Sequence, residues 1–247
     1  MNADTLRSYR FATEAQWNAC LFDRADRDSP AARAELRPFA PYARPAALYQ
    51  TRGAHAPAVT RAGEILWRDD AGSGYRLPAS DDEPESFPAP YAIARAKRMV
   101  ATPSGLWVAG DPPDSLQLYE TDTLARRLTV ELPEVRVADI AGDGRDGIFA
   151  LVTRDGVWRS VHADCAGRIV ETVTFEGLSC ATAFTFLRRP GRFMVLAEEH
   201  QQRLYGFPAQ GGAAELSLAV AALRPCFTAV ALGGDSRGRI FLGGADG

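Results

Sequence analysis

The chain has 247 residues, of which 46% are hydrophobic and 24% charged, and its formal net charge is −3. This length allows a full hydrophobic core, and the composition is ordinary for a globular protein. The slightly acidic balance lacks the basic excess typical of nucleic-acid-binding proteins, and no apolar run approaches the ~18 residues that a membrane-spanning helix needs.

Residues 1–50 differ from the rest of the chain and are predicted to form a separate helical and extended N-terminal segment. Thr13 followed by Gln16 is a capping box, which predicts a short helix. The proline- and alanine-rich run after it, "SPAARAELRPFAPYARP", indicates extended chain on a surface. Because the first residues contain no apolar stretch typical of a secretory signal, we expect synthesis in the cytoplasm.

From residue 51 to residue 247 the sequence repeats one pattern, a glycine followed by an apolar run that contains an aromatic residue. Examples are "SGLWVAGD", "DGIFALVTRDG" and "RGRIFLGGADG". The glycines are spaced 42, 42, 44 and 47 residues apart, and they are Gly63, Gly105, Gly147, Gly191 and Gly238. This spacing is typical of the four-stranded blades of β-propellers.

Each repeat carries further strand signals around this run. A candidate strand such as "VRVADIA" precedes the glycine, and a strand with alternating apolar residues, such as "RLTVELP", closes the unit. Between them lies a short strand with one aromatic residue: Tyr75, Tyr119, Trp158 or Tyr205. The glycine suits a hairpin that needs positive φ. The chain is therefore predicted to be all-β, a β-propeller of four-stranded blades over residues 51–247. An irregular β-sandwich is the alternative, but it would not repeat at this period.

Two places depart from the repeat. Residues 80–96 are acidic and proline-rich and are predicted to be an excursion between the first two blades. The sequence stops after the second strand of the fifth unit, whereas a propeller closes on itself to avoid free sheet edges. Either the N-terminal segment completes the last blade, giving five blades, or further blades follow in a longer protein. Since the N-terminal segment lacks two alternating strands, we expect the second.

One acidic loop, "VADIAGDGRDGIFALV", contains the candidate calcium ligands Asp139, Asp143 and Asp146. Calcium takes six to eight oxygen ligands, and calcium loops of propellers alternate carboxylates along a tight glycine-containing turn. Here Ala141 stands at the second ligand position and Gly147 at the last, and none of the other repeats has the pattern. We therefore predict a hairpin turn in which aspartate and glycine satisfy the backbone, without a cofactor, and keep calcium as the alternative.

Other signals for catalysis are sparse. The three histidines, His55, His162 and His200, are interpreted as surface residues, and no Gly-x-Ser-x-Gly nucleophile elbow is present. Lactonase-type propellers bind a metal through Glu, Asn and Asp, but Asn2 and Asn18, the only asparagines, both precede the repeats. These observations favour a role without catalysis.

Several stretches carry a resemblance to a known family, among them "RFATEAQWNACLFDRADRD", "TRAGEILWRDD", "SLQLYETDTLARRLTVELP" and "ALRPCFTAVALGGDSRGRIFLGGADG". They resemble the N-terminal propeller half of large phage-tail-like proteins that bacteria encode with extracellular contractile injection systems. The resemblance implies a structural, baseplate-associated role, partners among the other proteins of the particle, and release as part of it. It also implies a longer parent chain with a tail-protein domain, and no site residues.

Three functions follow as hypotheses. The first is a non-enzymatic propeller that presents surface for assembly of a phage-tail-like particle. The second is a propeller that binds a ligand or carbohydrate, and the third is a metal-dependent lactonase or hydrolase of the six-bladed type. The scarcity of asparagine and the broken calcium loop favour the first over the third, whereas nothing in the sequence separates the first from the second.

Overall fold

A computed structural model describes residues 55–60, 62–78, 85–198, 201–223, 228–234 and 238–244. The N-terminal segment predicted over residues 1–50 lies outside the described residues. Within the described residues, almost all regular structure is strand, as the repeat predicts.

The strands form successive antiparallel sheets, which we number as blades 1 to 5. Blade 1 contains β1 (His55–Val59), β2 (Ile65–Arg68), β3 (Gly74–Leu77) and β4 (Glu85–Phe87). Blade 2 contains β5 (Arg98–Thr102), β6 (Gly105–Ala109), β7 (Ser115–Tyr119) and β8 (Arg126–Glu131). Blade 3 contains β9 (Arg136–Gly142), β10 (Ile148–Arg154), β11 (Val157–Ala163) and β12 (Ile169–Glu176). Blade 4 contains β13 (Ala183–Leu187), β14 (Arg192–Glu198), β15 (Gln202–Pro208) and β17 (Leu216–Ala219). Blade 5 is described as two strands, β18 (Ala229–Gly234) and β19 (Ile240–Gly244). This arrangement confirms the predicted β-propeller of four-stranded blades.

The hydrophobic core lies between blades. Trp107 and Leu118 of blade 2 pack with Ile140 and Ile148 of blade 3, and a further cluster of apolar side chains joins blades 1 and 2. Because β6 and β7 contact a neighbouring blade on each face, all their residues are buried. The outer strand β8 is mostly exposed, so its sequence alternates instead.

Two short helices, α1 (Tyr91–Ala94) and α2 (Val220–Leu223), connect blades. Among the described residues no helix is long and apolar enough to cross a membrane. The structure differs from the prediction for residues 80–96, because this stretch contains β4 and α1 rather than only an excursion. Phe87 pairs with Gly74 as the outer strand of blade 1, and Ile93 is fully buried. An edge strand of three residues is too short to show an alternating pattern.

Blade 3 carries an additional strand that the repeat did not predict. The two-residue strand β16 (Gly212–Ala213) leaves blade 4 and pairs in parallel with the outer edge of β12, opposite Phe175 and Glu176. It covers one end of an otherwise exposed sheet edge.

Four of the five repeat glycines occupy the backbone region that the hairpins require. Gly63, Gly105, Gly191 and Gly238 have φ values of 85°, 142°, 83° and 80°, as predicted. The prediction is wrong for Gly147, since in its hairpin the positive φ belongs to Gly144. Gly147 is required for space instead: a Cβ atom there would lie 2.7 Å from a carboxylate oxygen of Asp143 and 2.8 Å from the carbonyl oxygen of Ala163.

Candidate functional site

The three candidate calcium ligands lie in different surroundings. Asp139 is a buried residue of the inner strand β9, not of a turn. Asp143 begins the turn between β9 and β10, and Asp146 is an exposed residue near its end. In the part of the chain that the structure describes, no group of three or more His, Cys, Asp and Glu side chains is placed to hold a metal ion.

The carboxylate of Asp139 joins three consecutive blades. Its Oδ1 atom accepts hydrogen bonds from Nε of Arg98 on β5 and from the N–H of Ile140, both at 2.9 Å. Its Oδ2 atom accepts the backbone N–H of Phe184 on β13 at 2.7 Å. We call Arg98, Asp139 and Phe184 the Asp139 clasp, because the inner strands of blades 2, 3 and 4 meet there.

The members of the Asp139 clasp occupy equivalent positions in the pairing between the first two strands of their blades. Each pairs with a residue of the next strand that stands four positions after the repeat glycine, and these residues are Ala109, Leu151 and Val195. Equivalent positions in adjacent blades lie at one level of the ring, so a positive and a negative side chain there can meet. Alignment on the repeat glycines alone does not give this match, because Arg98 stands seven positions before Gly105 whereas Asp139 stands eight positions before Gly147.

Burial dominates the electrostatics of the Asp139 clasp. It raises the pKa of Asp139 from 3.8 to about 6, while the Arg98 guanidinium and the hydrogen bonds from Ile140 and Phe184 act in the opposite direction. Arg98 keeps 38% of its side chain exposed, whereas Asp139 keeps 5%. The carboxylate is therefore an ion-pair partner at neutral pH, held in a place where loss of its donors is costly.

Asp143 organises the turn between β9 and β10. Its Oδ1 atom accepts the N–H groups of Arg145 at 2.7 Å and Gly147 at 3.2 Å, as expected for an aspartate that satisfies a turn. Its Oδ2 atom lies 3.1 Å from Nε2 of His162. His162 is thus part-buried against the turn rather than a simple surface residue, and its ring stacks on Phe149 at 4.3 Å.

The same turn bonds to its neighbours on both sides. The Ser104 hydroxyl of blade 2 donates to the carbonyl oxygen of Asp146 at 2.7 Å. Nη1 of Arg188 in blade 4 donates to the carbonyl oxygen of Gly144 at 3.4 Å. The first hairpins of three blades therefore form one connected surface.

An open cleft of about 340 Å³ lies between the turns of blades 1 and 2. Its lining is mostly polar and comprises Thr60, Ala62, Glu64, Thr102, Pro103, Thr121 and Asp122. It shares no residue with the Asp139 clasp or with the Asp143 turn, and no sequence motif pointed to it.

Comparison with known proteins supports the fold of this chain and does not identify a family or a function. No protein-family model matches this chain, and no curated protein sequence matches it. Several solved structures do. A hydrazine synthase chain of Kuenenia stuttgartiensis aligns with a TM-score of 0.58 at 13% identity, covering 78% of this chain and 62% of that one. A chain of a nidogen/laminin complex aligns with a TM-score of 0.57 at 14% identity, covering 79% and 73%. The Pan2 WD40 domain of Neurospora crassa aligns with a TM-score of 0.53 at 11% identity, covering 76% and 59%.

This chain is a β-propeller. It spans about three fifths of the length of the hydrazine synthase and WD40 chains that it matches. At identities this low the likeness concerns the path of the backbone, and propellers carry many unrelated functions.

Proposed function

We propose that this chain is a non-enzymatic propeller that provides protein-binding surface in a phage-tail-like contractile injection particle. The observation that carries the proposal is the structural role of Asp139 and Asp143, the two acidic residues that were candidate metal ligands. Asp139 joins three inner strands and Asp143 fixes a turn and His162, so both side chains stabilise architecture. The resemblance to phage-tail-like proteins supplies the biological setting.

Rigid hairpins and exposed apolar side chains also support a role in protein interaction. The turn between β9 and β10 is held by blades 2 and 4 through Ser104 and Arg188. Elsewhere Tyr91 is 64% exposed and Val170 is 54% exposed. A surface that is fixed before binding loses little conformational entropy when a partner docks, which favours assembly.

The proposal is tested by following the protein in its own bacterium. We expect an affinity-tagged chain to sediment with intact contractile particles and to be absent from the same fraction of a strain whose sheath gene is deleted. A strain that lacks this chain should yield fewer complete particles by electron microscopy. Particles of normal number and form without it, or a tagged chain found only in the unassembled fraction, would contradict the proposal.

A further inference from the structure

We infer that the hairpins of blades 3 to 5 form a docking surface for an acidic segment of a partner protein. The surface is defined by Arg145, Arg188, Arg189 and Arg239, which we call the basic rim. These arginines lie in the first hairpin of three consecutive blades, between β9 and β10, β13 and β14, and β18 and β19. The inference deepens the proposed function, and rests on it, since it specifies the chemistry of one partner.

Direct contacts between the hairpins place these arginines side by side. The Arg188 side chain packs on Gly144, where a Cβ atom would lie 3.3 Å from its Cδ. Gly238 approaches the carbonyl oxygen of Arg189 so closely that a Cβ atom would lie 2.4 Å from it. Arg145 follows Gly144 and Arg239 follows Gly238, so these two contacts bring all four residues to one part of the ring.

Three of the four charges are available to a partner. Arg145, Arg188 and Arg189 are exposed, and none of them forms an ion pair with a carboxylate of the described residues. Arg239 is half-buried, with its guanidinium carbon 5.7 Å from the centre of the Phe241 ring. Three arginines elsewhere do form ion pairs: Arg154 with Glu134 at 2.6 Å, Arg168 with Asp164 at 2.7 Å and Arg192 with Glu215 at 2.5 Å.

Among the described residues, Asp143 and Asp146 are the carboxylates that lie in these three hairpins. Asp143 is occupied by two turn N–H groups and by His162. Asp146 lies at the end of its turn that faces blade 2, where its carbonyl oxygen accepts the Ser104 hydroxyl. The turns of blades 1 and 2 instead contribute Glu64 and Asp122 to the cleft there. Among the described residues of the first hairpins, the exposed arginines therefore lie at blades 3 and 4, with the half-buried Arg239 beside them at blade 5.

Guanidinium groups favour carboxylate partners. Arginine presents a planar fork of donors that binds a carboxylate through two parallel hydrogen bonds. A short run of acidic side chains matches the three exposed arginines, Arg145, Arg188 and Arg189. A nucleic acid matches less well, because its long backbone would also meet the rest of a chain whose net charge is −3.

The basic rim is tested by fluorescence anisotropy with a labelled octaglutamate peptide at low ionic strength. The variant is the double substitution R145Q/R189Q, since neither side chain makes a described contact that the fold would lose. The matched control is R126Q/R136Q, which removes the same charge from exposed arginines of β8 and β9. We expect the peptide to bind the natural chain, to bind R145Q/R189Q about tenfold more weakly and to bind the control within about twofold. Added salt should weaken binding.

Each other outcome overturns the inference. It is rejected if the natural chain does not bind octaglutamate, or if the two double variants lose affinity equally. It is also rejected if a single-stranded oligonucleotide of the same length binds more tightly than the peptide and depends on the same arginines. Failure of peptide binding in a chain that still sediments with particles would reject the basic rim alone. Peptide binding without sedimentation would reject the particle role alone.

Discussion

Asp139 is a carboxylate whose two oxygens face three donors in the interior of the ring. An ionised carboxylate accepts hydrogen bonds at both oxygens. An asparagine side chain has an NH2 donor in place of one of these oxygens, so it can accept at one side only. In Asp139→Asn, either the N–H of Phe184 or Nε of Arg98 would face the NH2 donor instead of an acceptor. An amide of the same shape therefore cannot accept from all three donors of the Asp139 clasp.

We expect Asp139→Asn and Asp139→Ala to lower the free energy of unfolding by about 2 to 4 kcal/mol. The physical reason is that buried donors and the Arg98 charge lose their acceptor. The measurement is equilibrium unfolding in urea. Asp155→Asn is the matched control, because Asp155 is 90% exposed and its loss should change stability by no more than about 0.5 kcal/mol. Equal effects at the two positions would contradict the role of the clasp.

The raised pKa of Asp139 makes a second prediction. Its folded-state pKa of about 6 lies above its unfolded value, so the folded protein holds this proton more tightly. The resulting stabilisation is fully present below about pH 4 and is lost as the pH rises through about 6. The free energy of unfolding of the natural chain, measured relative to Asp139→Asn, should therefore fall between pH 4 and pH 7. A difference that is constant or rises with pH would show that burial does not dominate this carboxylate.

At the scale of elements, the outer edge of blade 3 is protected at both ends. The register of β11 and β12 shifts between His162 and Ala163, which leaves Val170 as an unpaired bulge residue. At the other end β16 pairs with Phe175 and Glu176. Bulges and short covering strands are common means of blocking edge-to-edge association. The apolar strand β12 thus avoids being a free edge along its whole length.

Gly211 and Gly212 provide a matched test of this covering strand. Both have positive φ, 79° and 90°, but they differ in the space for a side chain. A Cβ atom at Gly211 would lie 2.6 Å from the carbonyl oxygen of Thr174 on β12, whereas a Cβ atom at Gly212, which pairs with Phe175, would meet nothing within 4 Å. We expect Gly211→Ala to displace β16 and to destabilise the protein by about 1 to 3 kcal/mol more than Gly212→Ala. Hydrogen exchange at Glu176 and Ala213 should accelerate in Gly211→Ala only. Similar exchange in both variants would show that β16 tolerates a side chain there.

At the scale of the whole molecule, the apolar side chains that stabilise the fold pack between neighbouring blades. Phe193 of blade 4 is 1% exposed, and its ring contacts Phe149 and Phe175 of blade 3 as well as Phe184 and Phe186 of its own blade. Among the described residues, the three largest apolar clusters each combine side chains of two neighbouring blades. Neighbouring blades should therefore lose stability together.

Phe193→Ala tests this coupling. We expect a loss of about 3 to 5 kcal/mol in the free energy of unfolding, because a large cavity forms in a packed core. Hydrogen exchange should accelerate in β10 as well as in β14, while β2 of blade 1 changes less. Acceleration confined to β14 would mean that the blades unfold independently.

Short-range patterns account for most of the fold that could be predicted. Apolar alternation and hairpin glycines act within a few residues, so the strands and four of the five glycine conformations followed from the repeat. The short strand β4 and the two-residue strand β16 did not follow, because neither is long enough to show a period. Asp143 was correctly assigned to a turn. Asp139 was included in the candidate strand "VRVADIA", which corresponds to β9, but was also counted with the loop as a candidate calcium ligand.

By itself, the amino-acid sequence determined the blade repeat, since hairpin formation depends on neighbouring residues. Only the tertiary structure decided what the acidic and basic side chains do. Arg98 and Asp139 are 41 residues apart, and Asp139 and Phe184 are 45 residues apart, so they meet only when consecutive blades pack. The same packing gathers Arg145, Arg188 and Arg189 from separate repeats. The spacing of the sequence repeat therefore predicts the blades of the ring. Contacts between residues of consecutive blades form the Asp139 clasp and the basic rim.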